Sequence, residues 1–267
     1  MAEALGRVLI VAASDSGGGA GVQADLKTVT ALGGYGACAI TAITVQDTLA
    51  VHEIFPLPAA LIEAQARAVL DDIGADAIKI GMLGSLEVVE VVARLLDSAR
   101  GAPAVIDPVM TAKGGESLLA KKGLAAMRDL LVGRAALITP NAPEAAALTG
   151  LAVASTDDLR RAGEALLKLG ARAVLMKGGH IAGRTVVDVL MTRGGETTFE
   201  GPRVAGRHTH GTGCTLASAC AAGLAQGLAM EAAVARAWAY TAEAIARAPG
   251  LGAGHGPLDH AWPLREP

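Results

Sequence analysis

A chain of 267 residues that is 52% apolar and only 18% charged carries enough apolar surface to offset the entropy lost on folding, which excludes a disordered segment. Three scattered cysteines exclude a disulfide scaffold, and a net charge of -3 with an isoelectric point near 6.1 excludes a basic nucleic-acid or lipid-binding surface. Mean hydropathy is +0.42, but the longest uncharged run, 208–230, is broken by Gly211, Gly213, Gly223 and Gly227, and its apolar part falls short of the roughly 20 residues a spanning helix needs.

The first residues, MAEALGRVLIVAASD, have too short an apolar run for a signal peptide, so a cytoplasmic protein with free thiols is expected. VLIVAA (8–13) reads as a buried strand, and a glycine-rich turn leads to a helix from Val22 to Leu32. A second strand is predicted over 37–46, a helix over 59–72 and a strand over 76–81. Ser85 caps a helix to Asp97; 103–109 is a strand stopped by Pro108; Lys121–Leu131 is a helix. A strand at 135–139, a short helix Pro143–Leu148, a helix capped by Thr156 and ending near Leu169, and a strand at 173–177 follow. Residues 184–201, with Gly194-Gly195 at the centre, carry a hairpin signature. Helices over 214–226 and 231–247 complete the pattern, ahead of a Gly- and Pro-rich end. Alternating strands and helices imply α/β architecture: a mostly parallel sheet with helices on both faces, in one domain over 1–267, since no composition shift marks a second.

In such a sheet the ligand sits beyond the carboxyl ends of the strands. Four clusters stand there. Gly19-Ala20-Gly21-Val22-Gln23-Ala24 matches the dinucleotide fingerprint G-x-G-x-x-A, with Asp47 downstream, but its glycines stand several residues past the strand. Asp15 and Asp25 bracket that turn and suggest a polar small molecule. Gly211-Thr212-Gly213-Cys214 opens a helix, where backbone N–H groups and the macrodipole make an anion site and a thiol pKa is expected to fall. Asn141 and Glu144 either position a hydrated Mg²⁺ or simply cap a helix. Lys177, before two glycines, is placed to reach a phosphate or to lie beside a surface turn, and Asp107-Pro108-Val109-Met110 and Ala112–Gly115 follow another strand end. Cys38 and Cys220 read as core residues, and the spacing of His208, His210 and Cys214 does not support a metal site. There is no Walker A motif and no G-x-S-x-G elbow.

Seven ordered blocks, SGGGAGVQADLKT, ITAITVQDT, IKIGML, DPVM, LITPNAPEAAAL, VLMKGGH and THGTGCT, resemble the ribokinase-like superfamily and, within it, the hydroxymethylpyrimidine/phosphomethylpyrimidine kinases of thiamine biosynthesis. The resemblance implies a three-layer αβα fold, ATP and Mg²⁺ as cofactors, a small-molecule pyrimidine partner and a homodimer. It implies that Asp25 and Gln46 bind the pyrimidine, with Ala20, Thr44, Met82 and Val109 lining its pocket. It assigns Asn141, Glu144 and Lys177 to the nucleotide and its metal, with Asp107 beside the metal and Thr212 on the nucleotide. Gly211, Gly213, Cys214 and Lys177 are then catalytic, the glycines in the anion hole and Cys214 as the base. The chain departs from the family at Ala13, where glycine is common, and at Ser16-Gly17, which replaces Pro-Ser. Residues 47–58 or 112–120 are the candidate lids. The rivals are a pyridoxal/pyridoxine kinase of the same branch, a nucleotide-linked oxidoreductase, and a binding protein that senses the pyrimidine without turnover.

Overall fold

The computed structural model describes residues 5–99, 101–111, 118–204 and 206–265. The Ala112–Gly115 segment and most of the second candidate lid lie outside them. One nine-stranded sheet runs through the chain in the order β3-β2-β1-β4-β5-β6-β7-β8-β9. Six central strands are parallel: β2 (Tyr35–Gln46), β1 (Arg7–Asp15), β4 (Ala77–Ile80), β5 (Ala104–Ile106), β6 (Leu137–Ile138) and β7 (Ala173–Met176). Antiparallel β3 (Val51–Pro56) edges one side, and the hairpin β8 (Thr185–Thr192) and β9 (Gly195–Pro202) edges the other.

Buried central strands feed two cores by simple alternation. Leu9, Val11, Ile78, Ile80, Ile106 and Ile138 face α2 (Ala59–Asp72), α3 (Leu86–Ser98), α4 (Lys121–Ala126), α5 (Ala142–Thr149) and α6 (Thr156–Lys168). Val8, Ile10, Ala77, Val105 and Leu137 face α1 (Gly21–Ala31), α7 (Thr212–Ala225) and α8 (Met230–Ala246). The result is the three-layer αβα arrangement of ribokinase-like proteins. The chain leaves β1 toward β2 on one side and returns to β4 on the other, so a crevice opens at the carboxyl ends of β1 and β4.

Several expected boundaries move. The cap of α6 is Ser155, not Thr156: the Ser155 side chain accepts from the Asp158 N–H, and the Asp158 carboxylate returns the bond. The strand expected over 103–109 shrinks to Ala104–Ile106, because pairing ends where the chain turns into the cleft. The helix expected over Lys121–Leu131 changes to a π-helical turn at Met127–Leu131. Half of the first candidate lid, 47–58, is strand β3, held to β2 through pairs such as Ile43–Phe55. No helix among the described residues is long and apolar enough to cross a membrane.

Candidate active site

A cleft of about 960 Å³ lies over the carboxyl ends of the central strands, within the size range of small-ligand sites. Its position follows from three glycine contacts. A Cβ on Gly211 would stand 1.8 Å from the Gly19 carbonyl oxygen, and one on Gly21 would stand 2.2 Å from the Ala13 carbonyl oxygen. Gly211 is the N-cap of α7 at φ 82, a conformation that favours glycine. The turn after β1 and the start of α7 therefore meet backbone to backbone. A Cβ on Gly213 would stand 3.0 Å from the Lys177 ammonium nitrogen, so the first turn of α7 opens onto that lysine.

Lys177 follows β7. Its Nζ donates to Asp107 Oδ1 at 2.8 Å and lies 3.8 Å from Glu144 Oε2. Thr139 Oγ1 donates to the same Asp107 oxygen. Burial alone would strip the lysine of its proton, but Asp107 and Glu144 outweigh it and hold the ammonium above the ordinary lysine range. Burial pushes the Glu144 carboxyl up to about 7, against the pull of Lys177 and with the push of Asp107. Asn141 and Glu144 form a complete capping box: Glu144 N–H donates to Asn141 Oδ1 at 3.0 Å, and Asn141 N–H donates to Glu144 Oε2 at 2.8 Å. The capping reading of this pair is thus realised, with both side chains still on the cleft wall.

At the other end stand Ala20, Thr44, Gln46, Met82 and Val109. Asp15 organises the turn that carries Ala20. Its carboxylate accepts from the N–H groups of Gly17, Gly19 and Ala20, and His210 Nε2 lies 3.0 Å away. Burial would raise this carboxyl, but His210 and the turn amides outweigh it and hold it below its ordinary value. The same His210 nitrogen is 2.8 Å from Gln46 Nε2, so the ring stands between Asp15 and Gln46. Sequence reasoning considered His210 only as a metal ligand; its place between an aspartate and a glutamine had no sequence signal.

Two expectations are corrected. Asp25 is not on the cleft wall: it is fully buried, and its carboxylate accepts from Lys79 Nζ at 2.9 and 2.7 Å and from Ser218 Oγ at 2.7 Å. The Cys214 thiol is not made acidic by its helix start. Burial pushes it up to about 11, with Asp25 and Asp107 adding to the rise and Lys79 opposing it. Desolvation outweighs the macrodipole here. Asp47, downstream of the G-x-G-x-x-A turn, bonds His52 at 2.8 Å on an exposed loop outside the main cleft. Thr212 lines the cleft, with its hydroxyl donating to the Thr209 carbonyl oxygen at 2.9 Å. Cys220 is core, as expected, and Cys38 is half-buried in β2.

An open α/β sheet with a glycine-rich helix start facing a lysine across one cleft defines a ribokinase-like small-molecule kinase. Solved structures agree. Bacillus subtilis pyridoxal kinase, described as an ADP complex, matches with a TM-score of 0.92 and 34% identity over 98% of this chain and 100% of that one. Phosphomethylpyrimidine kinase of Clostridium difficile matches with a TM-score of 0.80 and 40% identity over 90% of this chain and 99% of that one. The family model for phosphomethylpyrimidine kinase matches residues 15–259. The Streptomyces coelicolor protein named hydroxymethylpyrimidine/phosphomethylpyrimidine kinase is 51% identical over 97% of this chain and 96% of its own length. The chain belongs to the phosphomethylpyrimidine kinase family and is a phosphotransferase.

Proposed function

We propose that this chain uses ATP to phosphorylate the hydroxymethyl group of 4-amino-5-hydroxymethyl-2-methylpyrimidine, and then phosphorylates the monophosphate to the diphosphate, in thiamine biosynthesis. The observation that carries the reading is the continuity of one cleft. It joins Thr44, Gln46, Met82 and Val109 to Glu144 and Lys177, past the start of α7. A ring held at the first group presents its hydroxymethyl toward the second. The Gln46 carboxamide is able to donate to a ring nitrogen and accept from the exocyclic amine.

The Gly211–Cys214 amides cradle the transferred phosphoryl, and Lys177 neutralises its charge, which is where most of the rate arises in phosphoryl transfer. Cys214 accepts the hydroxyl proton. Only its thiolate can do so, a minor form near neutral pH because burial pushes the thiol up to about 11, and the proton passes to that thiolate as the new P–O bond forms. Among the described residues no three His, Cys, Asp or Glu side chains converge as a metal cage. The donor set fits Mg²⁺ held largely through water: Asp107 and Glu144 set two carboxylates against one lysine, and a cation would return Glu144 to its carboxylate form. When bound, the ion neutralises charge on the nucleotide phosphates. We place the reaction in the cytoplasm, where three free cysteines persist as thiols. We also propose a homodimer through the exposed apolar face of β2 and β3, where Ile43 pairs with Phe55.

The test is mass spectrometry of products after incubation with Mg-ATP and the hydroxymethylpyrimidine, with pyridoxine in a parallel tube. A pyrimidine diphosphate is expected. Phosphorylated pyridoxine with untouched pyrimidine overturns the reading in favour of a vitamin B6 kinase, the activity of the solved relative with a TM-score of 0.92.

A further inference from the structure

A lysine inside the apolar run Ala77-Ile78-Lys79-Ile80 must be paired, since a bare ammonium is among the costliest groups to bury. Lys79 is fully buried on the α1/α7 side of β4, the side that Ala77 also faces. Both oxygens of Asp25 on α1 hold its Nζ, and Ser218 on α7 donates to Asp25 Oδ1. Ser218 lies one helical turn after Cys214, so the two side chains share a face of α7. A Cβ on Gly81 would stand 3.0 Å from Lys79 Nζ, which places the ammonium toward the carboxyl end of β4, and Lys79 forms part of the cleft wall.

We propose that Lys79 is a positioning residue of the phosphoryl-transfer centre: a buried cation held by Asp25, which Ser218 on the Cys214 face of α7 fixes in turn, and whose charge acts on the Cys214 thiol. The role of Asp25 is then to hold Lys79, not to touch the pyrimidine. This deepens the kinase reading and rests on it for its purpose, because a charge acting on Cys214 matters only if the thiol receives a proton. The other charged groups facing Cys214 are Asp25, Asp107 and Lys177, from α1, from the turn after β5 and from the turn after β7. Lys79 is the one that opposes burial most strongly, and Asp25 acts in the opposite sense.

Removing the cation and removing the anion should therefore move the thiol's reactivity in opposite directions, whereas a loss of packing alone would move it the same way in both variants. The experiment is carboxamidomethylation of Cys214 by iodoacetamide at pH 8 in the full-length protein, read by peptide mass spectrometry that separates Cys214 from Cys38 and Cys220. No ATP or pyrimidine is present, so its failure is distinct from failure of the phosphorylation test. Lys79→Met is expected to slow modification about tenfold, the effect of one unit in thiol pKa. Asp25→Asn, which keeps an acceptor for Ser218, is expected to speed it. Lys79→Met without effect, or both variants equally slow, overturns the proposal. If Lys79→Met does not fold, the double variant Asp25→Asn/Lys79→Met decides: slower than Asp25→Asn alone is expected, and equal rates overturn the proposal.

Discussion

The Gly211 backbone lies so close to Gly19 that a single methyl would stand 1.8 Å from the Gly19 carbonyl oxygen. The glycine start of α7, the proposed anion site, and the glycine turn after β1 are thus one contact surface. Gly211→Ala must strain a residue at φ 82 and also push two backbones apart, costing upward of about 1 kcal/mol. Turnover is expected to fall at least about a hundredfold, with a lowered Tm, measured by an ADP-release assay and thermal unfolding. Gly227→Ala is the control: its φ is 84 but nothing lies within 4 Å, so it should lose some stability and keep activity.

Gln46→Leu removes a carboxamide that lies beside His210 on the cleft wall, at the proposed pyrimidine end. Ring polar atoms then go unpaired, and pyrimidine affinity should fall by about 1–3 kcal/mol, measured by titration calorimetry. Nucleotide affinity should stay unchanged; unaltered pyrimidine binding removes Gln46 from the site.

Cys214→Ser should cut turnover much more than it weakens pyrimidine binding. With the thiol pushed up to about 11, its thiolate fraction climbs with pH throughout the neutral and mildly alkaline range. Wild-type turnover should therefore rise between roughly pH 7 and 9, and the serine variant should be lower and flat. Equal loss of binding and turnover would sink the assignment of Cys214 as proton acceptor.

Glu144 gives a stability prediction with a definite sign. Its folded-state value, about 7, lies above its ordinary 4.5, so between these values the native state binds more protons than the unfolded state. Stability is then full at low pH and is lost as pH rises from about 4.5 to about 7. Without nucleotide, the protein should be less stable at pH 8 than at pH 5 by up to about 3 kcal/mol from this group. Glu144→Gln, which keeps the acceptor for Asn141, should flatten that slope in denaturant unfolding.

Phe55 is 62% exposed and stands opposite Ile43 on the sheet edge. Phe55→Glu should convert the proposed dimer to monomer in sedimentation velocity, with the monomer still folded by circular dichroism. A wild-type monomer at assay concentrations would dismiss this face as the interface.

The parallel strands were the most legible elements, because burial on both faces leaves runs such as VLIVAA with no polar interruption. β3 was not legible. Its sequence VHEIFP exposes alternate residues to no consistent side and ends in proline, and only pairing with β2 makes it a strand. The clustering of Lys177, Asp107 and Glu144 could be anticipated, since each comes soon after the end of a parallel strand; the α7 start, nine residues beyond edge strand β9, is brought to them by its backbone contact with Gly19. Asp25 was misread because a motif fixes position and not direction. The helix phase held the correction: Val22, Asp25 and Val29 share the buried stripe of α1, and a charge on that stripe points into the core. Lys79 left the complementary trace, one charge in an apolar strand, and the two explain each other.

The sequence of α7, TGCTLASACAAGLA, has a further consequence. It packs against the sheet on one side and α8 on the other, and a Cβ on Gly223 would stand 2.9 Å from that of Ala233. Leucines apart, its side chains have few rotatable bonds or none. Locking such a helix in place forfeits little rotamer entropy, whereas a helix of long side chains would surrender up to about 2 kcal/mol at each fully fixed position. The amides at its first turn are therefore anchored by a rod that is inexpensive to immobilise, and the helix start needs little further ordering when a phosphate arrives.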